Sequence, residues 1–94
     1  MDFMIGQIVF SKAGRDKGEA FIVLQIEGEY LYLANGKSRR LESPKKKKAK
    51  HVQPSKTVDD GLKDAILAKE NMKNADFRTA LKKYQREREE NSHG

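Results

Sequence analysis

Gly6-Gln7-Ile8-Val9-Phe10-Ser11-Lys12-Ala13-Gly14-Arg15-Asp16-Lys17-Gly18 lays a short apolar strand against a charged loop bracketed by two glycines. Gly14 and Gly18 can take φ > 0 at no Cβ cost, so the loop can fold tightly and present Lys12, Arg15 and Lys17 to a partner. Working outward, Phe21 to Ile26 is a longer run rich in β-branched and aromatic residues, and predicts a second strand. Glu27-Gly28-Glu29 is a turn signal, and Tyr30-Leu31-Tyr32-Leu33-Ala34 predicts the returning arm of a hairpin. Asn35-Gly36 is a strong turn dipeptide, with Gly36 at the position that favours positive φ. Lys37 to Leu41, carrying Arg39 and Arg40, then reads as a fourth short strand.

Ser43-Pro44-Lys45-Lys46-Lys47-Lys48-Ala49-Lys50 predicts an exposed loop, because Pro44 interrupts pairing and the crowded lysines repel one another. His51-Val52-Gln53 ahead of Pro54 fits a last edge strand that closes a small barrel. Short strands at close spacing with turns between them suit an open barrel better than a parallel sheet. The expectation is a mainly β domain over residues 1–56, followed by a helical C-terminal extension over 57–94. Thr57, with Asp60 three positions on, is the expected N-cap of a first helix through Leu62 and Ile66. Asn74 is the expected cap of a second, whose Phe77, Ala80, Leu81 and Tyr84 fall at i, i+3, i+4 and i+7. Gln85 to Gly94 is almost entirely polar and predicts a frayed, disordered end.

Composition narrows the function classes. With 94 residues there is little room to enclose an active site. The net charge of +6 lies wholly in residues 1–56, which hold 12 Lys/Arg against 6 Asp/Glu, whereas residues 57–94 hold 8 against 8. A polyanion should therefore dock on the first part. The chain has no cysteine, and its histidines are far apart at 51 and 93, so neither a disulfide nor a metal site is expected, and no cofactor is implied. The opening Met1-Asp2-Phe3-Met4-Ile5 lacks the features of a signal peptide, and no apolar run is long enough for a membrane span. A cytoplasmic, monomeric protein without membrane contact is the expectation. His51 has no second catalytic group at a useful spacing, and an enzyme is not expected.

Taken together, Ile5-Gly6, Val9, the Lys12 to Gly18 loop, the strand through Val23 and Ile26, and Asn35-Gly36-Lys37 with Arg39-Arg40 resemble the KOW motif. The resemblance covers roughly residues 5–54 and is to small bacterial KOW-domain proteins, related to barrels of archaeal and eukaryotic large-subunit ribosomal proteins. It implies an SH3-like open barrel whose strand and loops face ribosomal RNA. The helical tail departs from the minimal barrel.

The charge argues in the same direction independently, since Lys and Arg contacts to phosphates release counterions and give affinity without sequence information. The expected RNA-binding set is Lys12, Arg15, Lys17, Lys37, Arg39, Arg40, Lys45, Lys46, Lys47, Lys48 and Lys50, with Gly14, Gly18 and Gly36 shaping the turns. The blander readings are an ordinary hairpin connection at Lys12 to Gly18 and a solvated linker at Lys45 to Lys50. Phe10, Phe21, Tyr30 and Tyr32 are expected to serve the core, with one tyrosine left exposed as a stacking surface. Two function classes remain: an accessory protein docked on structured RNA, ribosomal RNA in particular, and a protein-interaction module whose helices hold a second partner. Steep salt dependence separates the first from the second.

Overall fold

The computed structural model describes residues 3–91. Five strands form one antiparallel sheet: β1 (Gln7–Ser11), β2 (Ala20–Glu27), β3 (Tyr30–Ala34), β4 (Lys45–Lys48) and β5 (Val52–Val58), in the order β4-β3-β2-β1-β5. Two helices follow, α1 (Asp60–Leu67) and α2 (Asn74–Asn91), so the chain is a small mixed α/β domain. β4 and β5 lie at opposite ends of the pairing order, yet only the 3₁₀ turn Ala49–His51 separates them in sequence. The sheet must therefore curl until its two edges meet at that corner. Ala49 N–H donates to the Glu29 carbonyl and Lys12 N–H to the His51 carbonyl, both at 2.8 Å, which pins the corner from either side. Among the described residues no ladder joins β4 to β5, so the sheet stays open.

The period of two along each strand sends alternate side chains to opposite faces, and both faces of this sheet are apolar. Val9, Phe21, Val23, Leu31, Leu33 and Val52 fill the concave side. Ile8, Ile22 and Ala34 point the other way and are covered by Leu62 of α1 and by Phe77 and Ala80 of α2. Curling buries the first set, whereas the second needs a separate lid. Phe77 is fully buried in that lid, which is why α2 lies on the sheet.

Several expectations are corrected. Lys37 to Leu41 is a bend and turn, not a strand, because its backbone finds partners elsewhere. Asn35 Oδ1 accepts from the N–H groups of Lys37 and Arg39, each at 2.9 Å, while Leu41 N–H donates to Asn74 Oδ1 at 2.8 Å. The lysine run, expected as a loop, is β4, paired with β3 from Leu33↔Lys45 to Tyr30↔Lys48. His51 belongs to the 3₁₀ turn, and β5 runs through Pro54 to Val58. Pro54 is tolerated because β5 is an edge strand, where a missing N–H costs no ladder bond. Asp59, not Thr57, caps α1, its Oδ1 accepting from Leu62 N–H at 2.9 Å. Asn74 opens α2 but lends its side chain to the loop between β3 and β4, and Asp76 Oδ2 instead accepts from Lys73 N–H at 2.9 Å. Gln85 to Asn91, expected to fray, is helical. Gln, Arg and Glu are good helix formers there, and Lys83/Glu87 and Arg86/Glu90 stand at i, i+4. His93 and the rest of the expected disordered end lie outside the described residues.

Gly36 and Gly18 show the two ways in which this backbone requires glycine. Gly36, at φ +74°, passes so close to α2 that a Cβ would collide with the Asn74 carbonyl oxygen, while Arg78 Nη1 donates to the Gly36 carbonyl at 2.6 Å. Gly18 has φ +90° with nothing within 4 Å of a built Cβ, so its requirement is purely conformational. Gly18→Ala is expected to cost about 1–2 kcal/mol, the penalty of a left-handed L-residue. An unchanged thermal midpoint for that variant would show that the loop does not depend on this geometry.

Candidate nucleic-acid interface

The basic loop between β1 and β2 is held by a buried carboxylate. Asp16 is 7% exposed, and its oxygens meet Lys45 Nζ at 2.8 Å, Lys47 Nζ at 3.1 Å and Ser11 Oγ–H at 2.7 Å. Lys47 Nζ also donates to the Ala13 carbonyl at 2.8 Å. Burial by itself would raise the carboxyl pKa, but the hydrogen bonds from Lys45, Ser11 and Lys47 outweigh it and hold Asp16 well below the usual carboxylate range. The reason two lysines can be spent this way lies in the β4 register. Lys45 and Lys47 stand opposite Leu33 and Leu31, whose side chains fill the concave core, so their stems run along apolar surface before the ammonium groups reach Asp16.

Lys46 and Lys48 alternate to the outer face, opposite Tyr32 and Tyr30. Lys46 Nζ sits 4.6 Å from the Tyr30 ring centroid and 5.8 Å from that of Tyr32, and Lys48 Nζ lies 5.9 Å from Tyr30. Each such contact is worth about 0.5–1 kcal/mol at an exposed site. Both rings are half-buried, so neither tyrosine is the core residue expected of most aromatics here, and both edge an uncovered part of the outer face. Lys48 also lies 3.9 Å from the exposed Glu29, a pair that adds little.

The expected set thus divides. Lys12, Arg15, Lys17, Lys37, Lys46 and Lys50 are exposed, and the Asp16 clamp with the Lys12 to His51 bond draws the β1–β2 loop, β4 and the 3₁₀ turn together. Lys45 and Lys47 are removed from that surface as structural cations. Arg40 Nε donates to Glu42 at 3.2 Å, and Glu42, which also accepts from the Asn74 amide, is held below its ordinary pKa by that amide first and by Arg40 second. Arg39 is half-buried, its carbonyl accepting from the N–H groups of Asn35 and Gly36. Gly14, Gly18 and Gly36 all have positive φ.

Sequence reasoning missed Asp16 as the organiser of this surface and the pairing of Tyr30 and Tyr32 with alternate lysines. The signal for the latter was present, since two alternating tyrosines and a lysine run of matching period suit neighbouring strands. No protein-family model matches the chain, and no curated protein matches it significantly. What the protein does must therefore be argued from these residues.

Proposed function

We propose that this protein binds structured RNA, ribosomal RNA in particular, through the basic β1–β2 loop, the outer face of β4 and the 3₁₀ corner. The observation that carries the reading is the outer strip in which Lys46 and Lys48 stand over Tyr30 and Tyr32. Cations interleaved with aromatic rings supply the two interactions RNA offers, phosphate attraction and base stacking. On this reading the curled sheet is an SH3-like open barrel of the KOW kind, supported by its strand order, by the corner that brings both edges together and by the glycine-bracketed basic loop. The location that goes with it is the cytoplasm, and among the described residues no helix is long and apolar enough to cross a membrane.

The division within β4 supplies the test. Lys46→Ala/Lys48→Ala should stay folded, losing only the modest stability of the ring contacts, and weaken RNA binding, flattening the dependence of log K on log salt by about one to two in slope. Lys45→Ala/Lys47→Ala should instead lower stability, because it unpairs Asp16. Ribosomal RNA fragments in filter binding across a salt series, with sedimentation of each variant beside ribosomes, give the readout. Full retention of Lys46→Ala/Lys48→Ala with an undiminished slope would remove the outer strip from the mechanism. Salt-insensitive binding to a polypeptide, with no RNA bound at low salt, would replace the reading by a protein-interaction module.

A further inference from the structure

An open groove of about 640 Å³ runs between α2 and the end of the sheet formed by β1, the start of β2 and the turn after β3. Its volume falls in the range of small-molecule sites. Phe10, Leu81 and Tyr84 form its apolar floor, and Lys37, Lys82 and Arg88 border it, while Glu19 is the sole carboxylate among its described lining residues. Arg78 also borders it but is engaged on the Gly36 carbonyl. The Arg88 guanidinium lies 5.4 Å from the Phe10 centroid and 5.6 Å from that of Tyr84, and the two rings are 6.0 Å apart at 47°. The result is a ledge of two aromatics and a planar cation, bordered by further positive charge.

We propose that this groove receives an unpaired nucleotide of the bound RNA, its base stacked on the ledge of Phe10, Tyr84 and Arg88 and its phosphate held by Lys37 and Lys82. The inference rests on the RNA-binding reading and adds α2 to it. Charge complementarity selects an anion, and the aromatic and guanidinium faces select one that carries a flat, weakly polar ring. A carboxylate side chain would satisfy the lysines but leave the ledge unused. A base within a duplex has both faces stacked on its neighbours and has none to offer Phe10, Tyr84 or Arg88, so the nucleotide must be unstacked. Lys37 joins this groove to the surface already described, since its turn follows β3 and the groove also takes in Gly18 and Glu19 at the end of the basic loop.

The test compares two RNA duplexes of identical sequence, one blunt and one with a two-nucleotide 3′ overhang, against the full chain at low salt. The overhang should raise affinity about tenfold, within the range of base stacking on aromatic side chains. In Lys82→Ala/Arg88→Ala, both exposed positions on α2, the ratio of overhang to blunt affinity should fall to about one while circular dichroism shows the variant folded. Tyr84→Leu, which keeps the charge and removes the ring, should also collapse the ratio. Equal affinity of the parent for both duplexes, or a preference that survives these variants, would overturn the groove while leaving RNA binding in place. Failure to bind either duplex would overturn the RNA reading and the groove with it. Preferential filling of the groove by a glutamate-rich peptide, seen as shifts at the Gly18, Ala20 and Lys37 amides, would overturn the nucleotide assignment.

Discussion

Phe77→Ala is expected to be the most damaging single substitution in this chain, lowering stability by about 3–5 kcal/mol. Phe77 is fully buried and touches both layers of the outer core, with Ile8, Ile22 and Ala34 beneath it and Leu62 and Ala80 beside it. Truncation removes the transfer free energy of the ring and leaves a cavity that the stiff sheet below cannot collapse into. Small domains commonly hold only 5–15 kcal/mol in total, so the loss would consume a large share of what the fold has. Urea unfolding followed by circular dichroism should show a lower midpoint, and Phe77→Leu, which restores most of the volume, should recover much of it. A midpoint for Phe77→Ala within experimental error of the parent would mean that α2 is only loosely attached to the sheet. The same logic bears on truncation, because a fragment ending near Ser55 loses the end of β5 as well as the cover over Ile8, Ile22 and Ala34.

Asp16→Ala should cost about 3 kcal/mol, the lower end of the range for breaking a buried ion pair, since Lys45 keeps partial access to solvent. The substitution strands Lys47, whose side chain is only 10% exposed, and releases the β1–β2 loop from β4. Acid should have the same effect through protonation. A carboxyl whose folded pKa is depressed stabilises the fold fully above its unfolded value, here 3.8, and that stabilisation is lost as pH falls from there toward the folded value. The gap in denaturant midpoint between parent and Asp16→Ala should therefore be widest near neutral pH and narrow below about pH 4. A gap that stays constant down to pH 2.5 would show that the carboxylate charge is not what holds the loop.

The lysine run shows why part of this molecule could be read in advance and part could not. β1, β2 and β3 were legible because their apolar and aromatic residues carry a pattern that depends only on near neighbours. The helical stripe of Phe77, Ala80, Leu81 and Tyr84 was legible for the same reason. Lys45–Lys48 gave the opposite signal, since four adjacent like charges in isolation repel and avoid a sheet. They form a strand because partners distant in sequence absorb the charge. Lys47 reaches Asp16 across a separation of 31 residues, and Tyr30 and Tyr32 come under Lys46 and Lys48 only once β3 and β4 are paired.

Lys37 to Leu41 fails as a strand on similar grounds. Its backbone is satisfied by the Asn35 side chain nearby but also by Asn74, whose Oδ1 accepts from Leu41 across 33 residues. Asn74 then has no side chain left to cap its own helix, although its residue type and position advertise a cap.

By itself the sequence determined the basic first half, the positions of the three hydrophobic strands, the turn at Asn35-Gly36 and the existence of two helices. These follow from composition and from contacts within a few residues along the chain. Tertiary structure alone decided which lysines are spent on Asp16 and which face outward with tyrosine, and that α2 walls a basic, aromatic groove. The physical reason is that a charged side chain is assigned its partner by what folding brings within a few ångströms, and that neighbourhood is not written in the residues adjacent to it.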